Sequence, residues 1–399
     1  MKILHLHSQP VTAYGTERYI MNVCRALRDG GHQVTLGLDS GRSHNEELES
    51  LQPDVAVCYV GELREEDGGE SIRTLEALIG AQSPDVVILH HVQNAEIVQA
   101  LPRLIPTIHY FHDSRFVCLG AKYHFWWGRA CTRQLSPACL FYAYASHCAT
   151  VRLNHLIKKL RTRRKVLEAS KRLPQIIVES EYMRSLLKLN GVGIGRVAVI
   201  PPFPETFRSV TESPPLDAPA VVLFVGRLSV EKGAHHLLEA LGPLRDPYRA
   251  VIVGDGPERR QLERLAAGLG ITGRVDFIGW LRPEDLARYY GSARCVVVPS
   301  LWPEPFGLVG LEAMAYGQPV VGYDSGAIRE WLQDGVTGFL VPRGDMVSLR
   351  AAVHRIIRDS EIRHAMGTKA KAFVGKVFSK TRHMSRLIGA MKLAITGGA

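Results

Sequence analysis

Two glutamates lie in the stretch Pro303-Glu304-Pro305-Phe306-Gly307-Leu308-Val309-Gly310-Leu311-Glu312-Ala313-Met314, which follows the apolar run 294–298. The prolines keep Glu304 out of regular structure, and Gly307 lets the backbone approach a ligand closely. A helix is predicted to start near Leu308 and to stop at Gly317. Its first N–H groups have no partner inside the helix, so its N-terminus is an anion site suited to a phosphate. Glu304 would stand at that mouth, with Glu312 about one turn inside the helix. Two carboxylates on either side of a bound phosphate can take hydroxyls on two different sugars.

Further charged and small residues cluster at predicted strand ends. In Leu223-Phe224-Val225-Gly226-Arg227-Leu228-Ser229-Val230-Glu231-Lys232-Gly233 a strand ends on a glycine turn, which sets Arg227 and Lys232 beside a helix start. Two cations there can neutralise an anionic group; the bland alternative is surface charge. Val253-Gly254-Asp255-Gly256 is a second glycine loop, where Gly254 is either a ligand-facing residue or a turn glycine. The run Pro106-Thr107-Ile108-His109-Tyr110-Phe111-His112-Asp113 offers two histidines. The neighbouring Asp and the strand-end position favour His112, with His109 as its competitor. Tyr14-Gly15-Thr16-Glu17 follows the first strand with a single glycine, so it fails the G-x-G-x-x-G pattern and disfavours a dehydrogenase.

Alternating apolar and amphipathic runs must position these groups. Residues 2–7, 32–38, 85–90, 105–111 and 175–180 read as strands separated by helical patterns, the first of them 17–29. The prolines between Pro201 and Pro219 make a stiff linker. After it come strands at 220–225, 249–253, 274–278, 294–298 and 319–323, with helices at 232–241, 258–269, 283–291 and 308–316. The fold class is therefore α/β, with two doubly wound Rossmann-like domains facing across a cleft and ligands at the carboxyl ends of the strands. Boundaries are expected at 1–203, 204–375 and 376–399, the last a helix returning to the first domain. The helical stretch 346–395 is expected to break near Gly367 and Gly375.

The chain has 399 residues, 22% charged and 46% hydrophobic, which excludes a disordered protein. Its formal charge of +10 favours anionic partners, and no recognition motif points to nucleic acid. No apolar run approaches the roughly 18 residues of a membrane span, and the N-terminus lacks the form of a signal peptide. A cytoplasmic protein with reduced thiols is expected, at most touching the inner face of a membrane. Cys118, Cys131, Cys139 and Cys148 contain no Cys-x-x-Cys pair, so a small thiol-containing core is favoured over a metal site. Residues 151–173 combine an apolar stripe (Leu153, Leu156, Ile157, Leu160, Leu167) with a basic face that includes Arg161, Arg163 and Arg164. That segment reads as a solvated surface helix or as a peripheral membrane contact.

The pattern Glu304-x7-Glu312, with Pro305-Phe306-Gly307 inside it and Ala313 through Val321 after it, resembles the donor motif of glycosyltransferase family 4. These are retaining enzymes of the GT-B fold. The resemblance runs over nearly the whole chain, strongest from 222 to 342 and weakest from 120 to 172. It implies a UDP- or GDP-sugar as donor, no required cofactor and no metal. The acceptor would be a glycan, a lipid-linked glycan or a small molecule, as in bacterial cell-surface polysaccharide or glycolipid synthesis. Carried onto this sequence, Arg227 and Lys232 hold the diphosphate, and Gly15, Gly254, Phe306, Gly307, Leu308 and Val309 line the donor. Glu304 and His112 take the transferred sugar, and Glu312 takes the ribose. Phe277-Ile278-Gly279-Trp280 falls where the base packs, Asp324-Ser325-Gly326-Ala327 near the sugar, and Ser180-Glu181 at the acceptor edge. Tyr14 departs from the family by replacing the first of two glycines. Rival readings are a sugar-nucleotide epimerase of the same architecture and a catalytically dead binding protein.

Overall fold

The computed structural model describes residues 1–8, 15–39, 55–64, 69–120, 131–146, 148–149, 152–206 and 219–397. The chain divides into two compact units, Met1–Pro202 with Thr381–Ala399, and Phe203–Lys380.

The first unit contains β1 (Lys2–His7), α1 (Gly15–Asp29), β2 (Gln33–Leu38), β3 (Ala56–Tyr59), α2 (Glu70–Gln82), β4 (Val86–His90) and α3 (Ala95–Ala100). It continues with β5 (Thr107–Phe111), α4 (Ala138–Ala145), α5 (Leu153–Ser170), β6 (Gln175–Val178), α6 (Glu181–Leu189) and β7 (Val197–Val199). The strands form one parallel sheet in the order β3-β2-β1-β4-β5-β6-β7. Val86-Val87-Ile88-Leu89 is wholly buried, as a parallel strand covered on both faces must be. One face of the sheet, with Leu4, Leu6, Val87, Leu89, Phe111 and Val178, forms the main apolar core. The register pairs His7 with His90 and His90 with Tyr110, so these rings share the other face with His5. Strand order turns back between β1 and β4, and in open α/β sheets the crevice at the carboxyl ends there receives ligands.

The second unit contains β8 (Ala220–Val225), α7 (Ala234–Leu241), β9 (Tyr248–Val253), α8 (Arg259–Gly268), β10 (Val275–Gly279) and α9 (Pro283–Ser292). Then follow β11 (Cys295–Val298), α10 (Leu308–Ala315), β12 (Val320–Tyr323), α11 (Ile328–Trp331), β13 (Gly338–Val341), α12 (Met346–Arg358) and α13 (Ser360–Val377). Its parallel sheet runs β10-β9-β8-β11-β12-β13, turning back between β8 and β11. The last helix, α14 (Lys380–Ile395), belongs almost wholly to the first unit, where His383 bonds Tyr19 and the carbonyl of Pro201.

The breaks in the C-terminal helical region fall elsewhere than expected. Gly367 and Gly375 both lie inside α13, and the chain turns at Asp359 and at Phe378-Ser379 instead. Asp359 is extended, and its carboxylate caps the Ile362 amide. Gly367 serves packing: a Cβ there would lie 2.1 Å from the carbonyl oxygen of Gly317.

Candidate active site

In the second unit the loops leaving β8, β9, β11 and β12 meet at the carboxyl end of the sheet. The amide of Gly226 bonds Val253, that of Leu228 bonds Asp255, and that of Glu258 bonds Leu228, so the first two loops clasp each other. Gly254 sits at φ 131°, and a Cβ on it would lie 1.9 Å from the carbonyl of Gly226. The glycine is therefore needed for the close approach of the two loops, whatever it does for a ligand.

Glu304 is placed by backbone on both sides. Its amide bonds Ser325, and its carbonyl receives the Ala327 amide. The carboxylate is 5% exposed and accepts from Lys232 Nζ at 2.7 Å and from Ser300 Oγ at 2.5 Å. Lys232 Nζ also lies 5.0 Å from the centre of the Trp302 ring. Two residues that the sequence set seventy-two positions apart thus form one contact. Arg227 is exposed on the same loop as Lys232.

Helix α10 begins after Gly307, which is left-handed at φ 102°. No side chain caps this N-terminus. Its first amides, those of Leu308 and Val309 among them, are thus the kind that anions take. Phe306 is buried against Phe378, and its carbonyl accepts from Trp331 Nε1 at 2.7 Å, so its ring belongs to the core. Glu312 is buried, with one oxygen accepting from Tyr290 Oη at 2.8 Å. Of the segment at the end of β10, Trp280 is 46% exposed and open to stacking. Ser325 is buried and donates to the carbonyl of Trp302, while Asp324 pairs with Arg329.

In the first unit the histidines form a buried chain. His5 Nδ1 lies 2.9 Å from His90 Nε2, His90 Nδ1 lies 2.8 Å from His112 Nε2, and His112 Nδ1 lies 2.8 Å from Glu179 Oε1. Such a chain has two self-consistent directions. With Glu179 ionised every ring carries its proton on Nδ1; with Glu179 protonated every ring carries it on Nε2. Burial lowers the pKa of His5 and His112 to about 3 and drops that of His90 well below the ordinary value. Burial, with Asp113 nearby, raises Glu179 well above the usual carboxylate range. Both directions have one cause, the cost of an ion in a dry interior.

His112 is therefore 3% exposed with both nitrogens engaged inside the unit. His109 packs on the opposite face against Phe111 and Phe116, with Nδ1 at 2.9 Å from Ser170 Oγ. Sequence reasoning missed His91. It follows β4, adopts φ 57°, and has no hydrogen bond on either ring nitrogen among the described residues. Its Nε2 lies 3.6 Å from Asp113 Oδ2. A left-handed histidine next to the turning point of the sheet is the kind of strained residue that sites retain. Glu179, immediately before Ser180, was missed too; the sequence signal was a carboxylate at the end of a buried strand. Gly15 opens α1, whereas Tyr14 lies outside the described residues. Ser180 caps α6 through the Met183 amide, and Glu181 pairs with Arg184.

The four clustered cysteines are free thiols. Cys139 and Cys148 pack beside Leu119, Leu135 and Leu156, and Cys148 is raised to about 11 by burial and by its three neighbours. Among the described residues no His, Cys, Asp or Glu group is arranged to hold a metal, and no helix is long and apolar enough to cross a membrane.

Residues 208–373 match the family model described as Glycosyl transferases group 1, and residues 13–206 match Glycosyltransferase Family 4. The chain belongs to glycosyltransferase family 4. Among curated relatives of this family-4 chain, alpha-D-kanosaminyltransferase of Streptomyces kanamyceticus is 33% identical over 44% of this chain and 46% of its own length. The lipopolysaccharide core biosynthesis glycosyltransferase LpsE of Rhizobium meliloti is 36% identical over 48% of this chain and 53% of its own. D-inositol 3-phosphate glycosyltransferase of Nocardia farcinica is 35% identical over 50% and 49%. The matches thus span about half the length of these relatives.

Solved structures match over the full length. Anabaena HepE, crystallised with UDP, aligns with a TM-score of 0.74 at 20% identity, over 98% of this chain and 100% of its own. Sucrose-phosphate synthase of Thermosynechococcus elongatus aligns with a TM-score of 0.75 at 22% identity, over 99% of each chain. At such identities the likeness is one of fold: the family-4 chain has the two parallel Rossmann-like sheets of GT-B glycosyltransferases.

Proposed function

We propose that the chain transfers a sugar from a nucleoside-diphosphate sugar to an acceptor hydroxyl, with retention of anomeric configuration and without a metal. The observation that carries this reading is the Lys232–Glu304 contact beside the N-terminus of α10. A cation and an uncapped helix start are what a leaving diphosphate needs, and a carboxylate beside them is what a sugar hydroxyl needs. In this reading the diphosphate replaces Glu304 as the partner of Lys232, and the released carboxylate takes the transferred sugar. Arg227 and the amides of Leu308 and Val309 hold phosphate oxygens. Glu312, steadied by Tyr290, takes the ribose. The UDP held by Anabaena HepE favours UDP over GDP as the nucleotide.

The bond from the anomeric carbon to the diphosphate oxygen breaks as the acceptor oxygen bonds to the same face of that carbon. The acceptor proton passes to the departing oxygen, and positive charge builds on the sugar between the two events. The first unit holds the acceptor, a glycan, a lipid-linked glycan or a small molecule. His112 meets a sugar hydroxyl in this scheme only by giving up His90 or Glu179, whereas His91, equally buried, has no hydrogen bond to give up and only the 3.6 Å approach of Asp113 at Nε2.

Glu304→Gln tests the reading directly. Transfer should fall by two orders of magnitude or more, about 2.7 kcal/mol or greater, while nucleotide affinity holds or rises because Lys232 loses its competing carboxylate. Turnover at the wild-type rate would sink the assignment.

A further inference from the structure

On the basic face of α5 Lys158, Arg161, Arg164 and Lys165 are exposed, Lys159 is half-buried and Arg163 is buried. Leu156, Leu160 and Leu167 of its apolar stripe are packed inside the first unit, Ile157 is half-buried, and Leu153 at the helix start is exposed. Its cations line a cavity of about 750 Å³. Arg64, Lys158, Lys159, Arg161, Arg163 and Lys165 contribute six positive charges, and no carboxylate lines the cavity among the described residues. Gln93, on the loop after β4, is also at its wall. Arg64 Nε donates to the carbonyl of Ser8 at 2.6 Å, and the Arg163 guanidinium donates to that of Cys118. The cavity is thereby tied to the chain leaving β1, β4 and β5, the carboxyl-end position where a ligand of such a sheet belongs.

Arg163 is 5% exposed, and its Nε has no hydrogen-bond partner among the described residues. A guanidinium that dry with an unused donor is costly unless an anion joins it. Lys159, beside it, falls to about 8 through burial and the Arg163 charge. Like charges brought together out of water in this way repel one another until a counter-charge arrives.

We propose that this cavity binds a phosphoryl group, and that the acceptor is the molecule that carries it. The proposal rests on the reading that the first unit holds the acceptor. A phosphate or diphosphate fits better than a carboxylate because it spreads several negative charges over several oxygens, the pattern that arginine forks and lysines together complement. The volume exceeds what one phosphate fills and leaves room for the part of the acceptor that is glycosylated.

Inorganic pyrophosphate is the probe, titrated calorimetrically into the full chain. Wild type should take two equivalents. Lys232→Gln removes the donor-site equivalent. Lys159→Gln with Arg161→Gln weakens the other at least tenfold, while thermal unfolding stays as in wild type. If the double variant binds both equivalents as wild type does, the cavity proposal falls and the donor reading stands. If Lys232→Gln changes nothing, the donor reading falls and the cavity proposal stands. Vesicles of phosphatidylglycerol, with phosphatidylcholine as control, separate the two sources of a phosphoryl group. Binding that pyrophosphate competes away points to a lipid-borne group, and pyrophosphate binding without vesicle binding points to a soluble one. Vesicle binding indifferent to pyrophosphate would overturn the proposal in favour of diffuse surface charge.

Discussion

At the scale of single residues, the histidines separate by what their ring nitrogens already touch. His109 lies in the apolar core, His112 is held from both sides, and His91 has no hydrogen bond on either nitrogen among the described residues. His91→Ala should therefore lower kcat/KM for transfer about tenfold, near 1.4 kcal/mol, the size of one hydrogen bond made in the transition state. His109→Phe should leave it within a factor of two, a rough bound for a residue that touches no substrate. Comparing the two variants on one nucleotide sugar decides the point, and equal activity in both would remove His91 from the site. The sequence pointed to the histidine at the end of β5 because an Asp follows it, but a string of letters does not say which nitrogens are spoken for. That information is three-dimensional: Glu179 reaches His112 across sixty-seven positions, and His5 reaches His90 across eighty-five. The Lys232–Glu304 contact was easier to anticipate, because the loops that follow two strands at the same end of the sheet bring the two residues together.

At the scale of elements, the parallel strands with long apolar runs and the helices between them were readable from periodicity. The short edge strands β3, β7 and β13 were not, since three or four half-exposed residues carry no pattern distinct from a loop. The placing of α10 depends on a contact that sequence also hides. Trp331 of α11 is fully buried and tied by its Nε1 to Phe306, and a Cβ on Gly310 would lie 2.0 Å from its ring. The indole has no room to swing aside, so Gly310→Ala forces α10 and α11 apart. The expected cost is about 1–3 kcal/mol, the usual range for overpacking a filled core. Urea unfolding measures it. Nucleotide affinity should fall as well, because the displaced helix start carries the amides proposed to hold phosphate; unchanged stability and affinity would mean that Trp331 is not fixed as described.

At the scale of the whole molecule, the buried histidines make stability a function of pH with a definite sign. Burial lowers His5, His90, His91, His109 and His112 below the ordinary value of 6.5. The unfolded chain then binds protons that the folded one refuses, so stability is fully present above pH 6.5 and is lost as pH falls toward 3. Glu179 acts in the opposite direction, since its raised pKa favours the fold at low pH and loses that contribution as pH rises through the folded value. His383, lowered to about 4 by burial in the same unit, adds a sixth ring in their direction, so with Glu179 opposing the net is five. Each histidine adds a slope of up to about 1.4 kcal/mol per pH unit. Five together match a typical total stability of about 5–15 kcal/mol within one to two units. The first unit should therefore unfold near pH 5, well above where carboxylate titration alone would bring it down. Thermal melts between pH 7.5 and 4.5 read this slope, and His109→Phe should flatten it by roughly one proton's share. A melting temperature constant over that range would mean that these rings take up protons while folded, which the dry contacts from His5 to Glu179 do not allow.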